Sequence, residues 1–272
     1  MKNFKYVFLS VAAVFCMTSC DWFVLDNMEA YDASIHGSFI DAETGELVLS
    51  EISSSTGNFK VIEQGWTNPT DGSHVESQQT WYVKNNGTYR NTLVFSGDYL
   101  MKTADANYYP VETPFQIKEG DNEVDFYVTP YVRIIEHKIS FNAADSTIVA
   151  NVKVQIADKV KTPTLKDVRL CCYSDNFVGS VLNNCKTDKD SYAENVAVDD
   201  NGIAEVELKI DATKKGANAS AFKYDRIHYV RVAALAIGDG VNTSSRYNFS
   251  PTYSLSLKAD ETVHEPQVYN KW

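Results

Sequence analysis

Five histidines, five cysteines and 36 carboxylates are the side chains with which this 272-residue sequence could catalyse a reaction or hold a metal. Their spacing argues against both. His36, His74, His137, His228 and His264 are scattered, and no His-Glu-x-x-His pair presents two ligands from one helix face. There is no Gly-x-Ser-x-Gly elbow and no glycine-rich loop opening a helix to cradle phosphate. A glycosidase needs two carboxylates at a set separation across the scissile bond, and nothing along the chain marks such a pair. Asp199-Asp200-Asn201-Gly202 is acidic enough to suggest calcium, but the EF-hand spacing and its terminal glutamate are missing. Asn-Gly between alternating runs is instead a strong hairpin signal. The expectation is a protein with no catalytic residues, no metal and no cofactor.

The cysteines divide by position. Cys20 closes Met17-Thr18-Ser19-Cys20 after a positive stretch with Lys2 and Lys5 and an apolar run from Tyr6 to Phe15. That run is too short for a bilayer of about 30 Å. Residues 1–19 read as an export signal, and the four residues resemble a bacterial lipobox with Met17 where leucine is commoner. An ordinary secretory signal that happens to contain a cysteine is the alternative. If Cys20 is acylated, each buried methylene contributes about 0.8 kcal/mol and two or three chains anchor the protein firmly. Cys171, Cys172 and Cys185 remain. Outside the cytoplasm one disulfide and one thiol are expected. Strand alternation places Val168, Leu170 and Cys172 on one face and Arg169, Cys171 and Tyr173 on the other. With the apolar face in the core, Cys171 is the first choice of partner for Cys185 and Cys172 the second. Three reduced thiols are the alternative.

The net charge is −11, and more negative once Lys2 and Lys5 are removed. This excludes nucleic acid, which needs a basic footprint, and leaves membrane attachment to the acyl group. Aromatic rings flanked by polar groups can hold the C–H faces of sugars, although such rings also fill sandwich cores. Tyr108 and Tyr109, in an apparent loop, are the first candidates for glycan contact, followed by Trp66 and Tyr82.

The elements that must position these residues are strands. The composition is 44% hydrophobic, with short alternating runs separated by polar turns, as in Ser34 to Ile40 followed by Asp41-Ala42-Glu43-Thr44-Gly45-Glu46. Residues 34–130 read as one β-sandwich and 131–260 as a second, joined at Thr129-Pro130-Tyr131, where proline removes a ladder donor. Residues 20–33 read as an acidic tether and 261–272 as an extended tail. Asp175 to Tyr192 reads as a polar insertion. The fold class is all-β, two tandem β-sandwiches.

Ile35-His36-Gly37-Ser38-Phe39-Ile40-Asp41 with Glu43-Thr44-Gly45-Glu46 resembles the opening of a carboxypeptidase-regulatory-like (prealbumin-like) domain, itself non-catalytic. Gly87-Thr88-Tyr89 with Phe95-Ser96-Gly97-Asp98-Tyr99 is similar to that module's second signature. The order of pieces, through Val128-Thr129-Pro130-Tyr131-Val132-Arg133 to a second, fibronectin- or immunoglobulin-like domain, resembles a domain-of-unknown-function family of two-domain outer-membrane lipoproteins of Bacteroidota. The resemblance implies a non-catalytic accessory binding or scaffold protein of a starch-utilisation-type (Sus-like) glycan-uptake system. Its implied partners are a TonB-dependent transporter and its lid lipoprotein, with a polysaccharide as ligand. The location implied is the outer membrane, lipid-anchored and facing the cell surface, with the periplasmic face as the alternative. A structural surface protein without a small ligand is the other functional reading. Asp145-Ser146-Thr147 resembles the O-glycosylation motif of exported Bacteroidota proteins, with Ser146 as acceptor; a plain turn accounts for the same residues.

Overall fold

Alternation along β1 (Ala33–Asp41) turns Ala33, Ile35, Gly37, Phe39 and Asp41 inward and leaves Ser34, His36, Ser38 and Ile40 at the half-buried outer face. The computed structural model describes residues 30–52, 57–68, 70–103, 105–258 and 264–271. Cys20 and the export signal lie outside the described residues. Residues 33–272 form one compact unit containing two β-sandwiches. In the first, β1 is followed by β2 (Asn58–Glu63), β3 (Gln78–Tyr82), β4 (Thr88–Val94), β5 (Gly97–Lys102), β6 (Glu112–Ile117), β7 (Gly120–Glu123) and β8 (Phe126–Val128). One sheet has the order β4-β1-β7, with β8 also pairing β1; the other is β3-β2-β5-β6. β7 and β8 both run parallel to β1. Between the sheets lie Phe39, Phe59, Trp81, Tyr89 and Phe126. Most of their rings meet edge-on or tilted, as the aromatic quadrupole prefers, with Phe39 and Phe59 5.0 Å apart; Tyr89 and Phe126 stack at 5.6 Å.

Gly37 shows why the first signature carries a glycine. The link between β7 and β8 crosses its backbone, so a Cβ there would lie 1.8 Å from the Val124 carbonyl oxygen. That oxygen accepts the Tyr89 hydroxyl at 2.7 Å, so it cannot retreat freely. Gly37→Ala is expected to cost about 1–3 kcal/mol, the usual range for overpacking, read as a lower denaturation midpoint. An unchanged midpoint would show that the crossing segment yields.

The second sandwich contains β9 (Val132–Asn142), β10 (Thr147–Ile156), β11 (Thr164–Tyr173), β12 (Tyr192–Val196), β13 (Ile203–Asp211), β14 (Ile227–Ile237), β15 (Asn248–Phe249), β16 (Tyr253–Ser256) and β17 (Gln267–Val268). A three-stranded sheet, β13-β10-β9, packs on β12-β11-β14-β16-β17, with β15 joined to β14. Val152, Val154, Leu165, Leu170 and Val232 are among the residues filling the space between. The 3-10 turn Lys189–Ser191 is the one helical element among the described residues.

One expectation needs correction, and two segments pack more closely than expected. The turn at Asp199–Gly202 forms, with Gly202 N–H donating to Asp199 O at 3.0 Å and a Gly202 φ of 76°. It does not join a hairpin. β12 pairs β11 and β13 pairs β10, so the turn carries the chain from one sheet to the other. The C-terminal segment is not a free tail. Tyr269 N–H donates to Thr252 O at 2.8 Å, and its ring meets Tyr229 edge-on at 5.3 Å. The polar stretch after β11 folds back and buries Val178 and Cys185 completely.

Candidate functional site

The chain passes between the sandwiches at Thr129-Pro130-Tyr131, and the segment Asn107–Tyr109 pairs beside it. Tyr109 N–H donates to Thr129 O at 2.9 Å, and Tyr108 bridges Pro130. Extended backbone sends neighbouring side chains to opposite sides. Here both sides are covered, so Tyr108 and Tyr109 are not exposed loop residues. Tyr108 enters the first core, stacked on Phe39 at 5.3 Å, and burial pushes its phenol well above the usual range. Tyr109 enters the second, edge-on to Tyr131 at 4.7 Å, with its hydroxyl 2.6 Å from Thr162 Oγ1.

Buried polar groups tie the sandwiches together along this junction. Arg133 donates through Nε and Nη2 to both oxygens of Asp41, at 2.5 and 3.0 Å. Arg231, on β14, reaches the carbonyls of Ser50 and Asn85 in the first sandwich. Asn107 donates to Leu49 O at 2.8 Å and Tyr247 O at 3.1 Å, and Asn248 donates to Asn107 O at 2.8 Å. Glu51 accepts from Ser180 Oγ at 2.7 Å. Arg246 pairs with Asp105.

Two clefts open along this junction. One, of about 520 Å³, is walled by Leu47, Leu49, Ile134, Ile135, Phe249 and Pro251. Asp41, Glu46 and Arg133 also line it, and the imidazole on its wall, His137, shares a hydrogen bond with the Tyr253 hydroxyl at 2.8 Å. Burial lowers the His137 pKa below its usual value. The other, of about 570 Å³, is lined by Tyr109, Pro110, Tyr127, Asp158, Lys159 and Lys161, among others. Tyr127 sits on β8 between the inward Phe126 and Val128 and is 62% exposed. Lys161 Nζ lies 5.2 Å from the Tyr109 ring centroid and 3.3 Å from Asp158 Oδ2. Hydrogen bonding from the Lys161 backbone amide leads the interactions that hold the Asp158 carboxyl below its usual range. Lys159 Nζ donates to the carbonyls of Asp199 and Asp200 at 2.9 and 3.1 Å, which fixes that rim. An open aromatic ring in one cleft with a carboxylate and an ammonium can take the apolar face of a sugar and bond its hydroxyls.

The other sequence candidates are elsewhere. Trp66 is 49% exposed and Tyr82 60% exposed, and neither lines this cleft. Tyr82 faces Asn58 at the start of β2, whereas Trp66 lies beyond its end. The strand between them, Asn58–Glu63, spans about 17 Å at roughly 3.3 Å per residue, so the two do not form one platform. Tyr127 was the residue the sequence reading passed over. The alternation Phe126-in, Tyr127-out, Val128-in was its available signal. Ser146 has a φ of 56° in the β9–β10 turn, where its carbonyl accepts Ala212 N–H at 2.9 Å. Among the described residues no group of three or more His, Cys, Asp or Glu side chains is placed to hold a metal, and no helix is long and apolar enough to cross a membrane.

The expected Cys171–Cys185 pair is also corrected. Alternation placed Cys171 and Cys172 on opposite faces, and both faces are buried. Cys171 packs with Val178, Ala233 and Phe249; Cys172 and Cys185 lie together in the second core. Their backbone amides both donate to Asn183 Oδ1, at 3.1 and 2.9 Å. A hydrogen bond with the Cys185 thiol, together with burial, pushes the Cys172 thiol well up. All three are thiols in this structure. A disulfide oxidant that removes two electrons and two protons is therefore expected to join Cys172 to Cys185 and to leave Cys171 reduced. Peptide mapping without reductant checks this; a bridge at Cys171 would count against the placement of these strands.

The model of the N-terminal domain of DUF3823, a protein family of unknown function, matches residues 33–129. A crystal structure from Bacteroides uniformis, described as that of a "putative carbohydrate binding protein", is 34% identical with a TM-score of 0.70, covering 84% of this chain and all of that one. A DUF3823 family protein from Parabacteroides merdae is 19% identical with a TM-score of 0.60, over 82% of this chain and 98% of that one. Another from Bacteroides ovatus is 18% identical with a TM-score of 0.62, over 83% of this chain and all of that one. The latter two show the fold alone. No curated protein matches the chain.

Proposed function

The chain belongs to the DUF3823 family, and from that premise we propose that it is a non-catalytic carbohydrate-binding protein whose ligand sits in the Tyr127 cleft. The observation that carries this reading is that an open tyrosine ring, Tyr127, lines one cleft of about 570 Å³ with Asp158 and Lys161. The description of the 34% identical relative supports the ligand class. The cleft lies against a junction held by buried polar contacts, so its wall is preformed and little ordering cost falls on binding. In the same proposal Cys20 is acylated, the protein is held at the outer membrane, and it serves a TonB-dependent transporter and its lid lipoprotein as an accessory subunit. Ser146, in a turn beside the start of β10, is then a candidate glycan acceptor.

The test is retention of the purified protein on a panel of neutral polysaccharides, with Tyr127→Ala measured beside it. Tyr127 is exposed, so its replacement changes stability by about 0.5 kcal/mol or less. Retention is expected to fall at least tenfold with an unchanged melting temperature. A parent protein retained on no glycan would favour the reading of a structural surface protein without a small ligand. Retention that survives Tyr127→Ala would move the site to Trp66 or Tyr82.

A further inference from the structure

A loop at the end of the second sandwich away from the junction carries a charge opposite to that of the chain as a whole. On β10, Ile156 pairs Val132 at the junction end, whereas Thr147 pairs Asn142 and Asp211 at the far end. The nine steps along β10 separate these ends by about 30 Å at roughly 3.3 Å per residue. From the far end of β13 the chain runs through residues 213–226 into β14. This loop contains Lys214, Lys215, Lys223 and Arg226 against a single acid, Asp225, in a protein of net charge −11.

The loop is a built structure. Asn218 is 3% exposed and donates to Asp188 Oδ2 at 2.6 Å and to Asp211 O at 3.0 Å. Phe222 is buried and lies 4.7 Å from the His228 ring. Asn218 O accepts Ala221 N–H at 2.8 Å. These anchors hold the intervening residues at the surface, where Lys214, Lys215, Lys223, Tyr224, Asp225 and Arg226 are all exposed. The Lys223 ammonium and the Arg226 guanidinium stand 5.3 and 5.2 Å from the Tyr224 ring centroid. Cation–π contact thus fixes two cations and a phenol hydroxyl as one group.

The one acid of the loop is already paired: Asp225 Oδ1 is 2.5 Å from Lys214 Nζ. Among the described residues Lys215, Lys223 and Arg226 have no carboxylate partner within ion-pair distance. Exposed cations on one loop, two of them against a tyrosine ring, suit an anion that carries neighbouring hydroxyl groups. A guanidinium matches a carboxylate or sulfate in two-point geometry.

We propose that this pole is a second, charge-selective site for an acidic polysaccharide, whose uronate or sulfate groups meet Lys215, Lys223 and Arg226 and whose hydroxyls meet Tyr224. It goes beyond the Tyr127 cleft and rests on the carbohydrate reading only for the class of molecule that bears the anions. A chain long enough to touch both sites would gain from linkage through effective concentration.

The test is binding of the folded protein to polygalacturonate and chondroitin sulfate. Neutral polysaccharides and phosphatidylcholine vesicles containing phosphatidylglycerol are run in parallel. The parent, the triple variant Lys215→Gln/Lys223→Gln/Arg226→Gln, Tyr224→Ala and Tyr127→Ala are compared. The proposal expects the triple variant to lose at least tenfold in affinity for the acidic glycans, with its melting temperature and its binding to neutral glycans unchanged. It expects the acidic-glycan affinity of the parent to fall steeply as salt is raised, because exposed charges are screened over about 8–10 Å at physiological ionic strength. Tyr224→Ala is expected to weaken the same binding more mildly. Equal affinity of parent and triple variant for the acidic glycans would overturn the proposal and leave the Tyr127 cleft intact. So would binding to the anionic vesicles alone, since the pole would then read a lipid surface. Loss of neutral-glycan binding in Tyr127→Ala, with acidic binding retained, would support two separate sites. Absence of any glycan binding by the parent would overturn both.

Discussion

Arg231→Ala is expected to lose about 3–5 kcal/mol of stability, the range for removing one side of a buried charged network. Arg231 has the largest side chain among those fully buried. Its Nε donates to Ser250 O at 2.8 Å, its Nη1 to Ser50 O at 2.8 Å and its Nη2 to Asn85 O at 3.3 Å. Its guanidinium lies 4.3 Å from the Phe249 ring centroid. Burial lowers its pKa to about 9, an effect that the charge of Glu51 partly offsets, so it stays charged at neutral pH. Alanine would leave three carbonyls without these donors and open a cavity where the two sandwiches meet. Lysine keeps the charge but cannot reach three acceptors from one nitrogen, and it is expected to recover only part of the loss. Denaturant midpoints of the parent, the alanine and the lysine variants measure this. An alanine variant within about 1 kcal/mol of the parent, the net value of an ordinary hydrogen bond, would mean that Arg231 does not clamp the junction.

Asp41→Ala is expected to cost a similar amount, about 3–5 kcal/mol, and to bring a pH signature with it. Asp41 and Arg133 are 4% and 8% exposed. Without Asp41, the other carboxylate facing the guanidinium is Glu43, 2.9 Å away and largely in solvent. Asp41 also closes its own turn, accepting Glu43 N–H and the Thr44 hydroxyl, each at 3.1 Å. Burial pushes the Asp41 carboxyl up, but the Arg133 hydrogen bonds, the turn and the Arg133 charge together pull it further down. The net result lies below the ordinary value of 3.8. The folded state therefore holds this proton less tightly than the unfolded chain. The stabilisation is fully present above the unfolded value and is lost as pH falls through the lower folded one. Asp41→Asn should therefore be less stable than the parent at pH 7, with the gap narrowing as pH falls below the ordinary value of 3.8. A gap of constant size across that range would separate Asp41 from the acid sensitivity of the fold.

Much of the local structure was legible in the sequence because it depends on neighbours. Ile35, Gly37 and Phe39 face inward because strand side chains alternate, and Asp41 to Gly45 turns because aspartate and glycine favour it. Gly202 takes positive φ where Asn-Gly predicted a turn. What lay on either side of that turn was not legible. A turn dictates a reversal of direction, not which strands receive hydrogen bonds, and here the two runs go to different sheets.

The same division holds at the candidate site. Local patterning is enough to specify an all-β chain, its turns, the opposite faces of Cys171 and Cys172, and the opposite directions of Tyr108 and Tyr109. Tertiary structure alone decided what met those faces. Tyr108 and Tyr109 looked like loop residues because the sequence around them is polar; they are buried because two cores close on the segment from both sides. Cys185 lies with Cys172 because the stretch after β11 folds onto the inner face of that strand. Tyr127 became the exposed ring of a cleft because the second sandwich stands beside β8 without covering it. Alternation is fixed by bond geometry within a few residues, whereas burial depends on surfaces brought together from distant parts of the chain, and that is settled only when both sandwiches have packed.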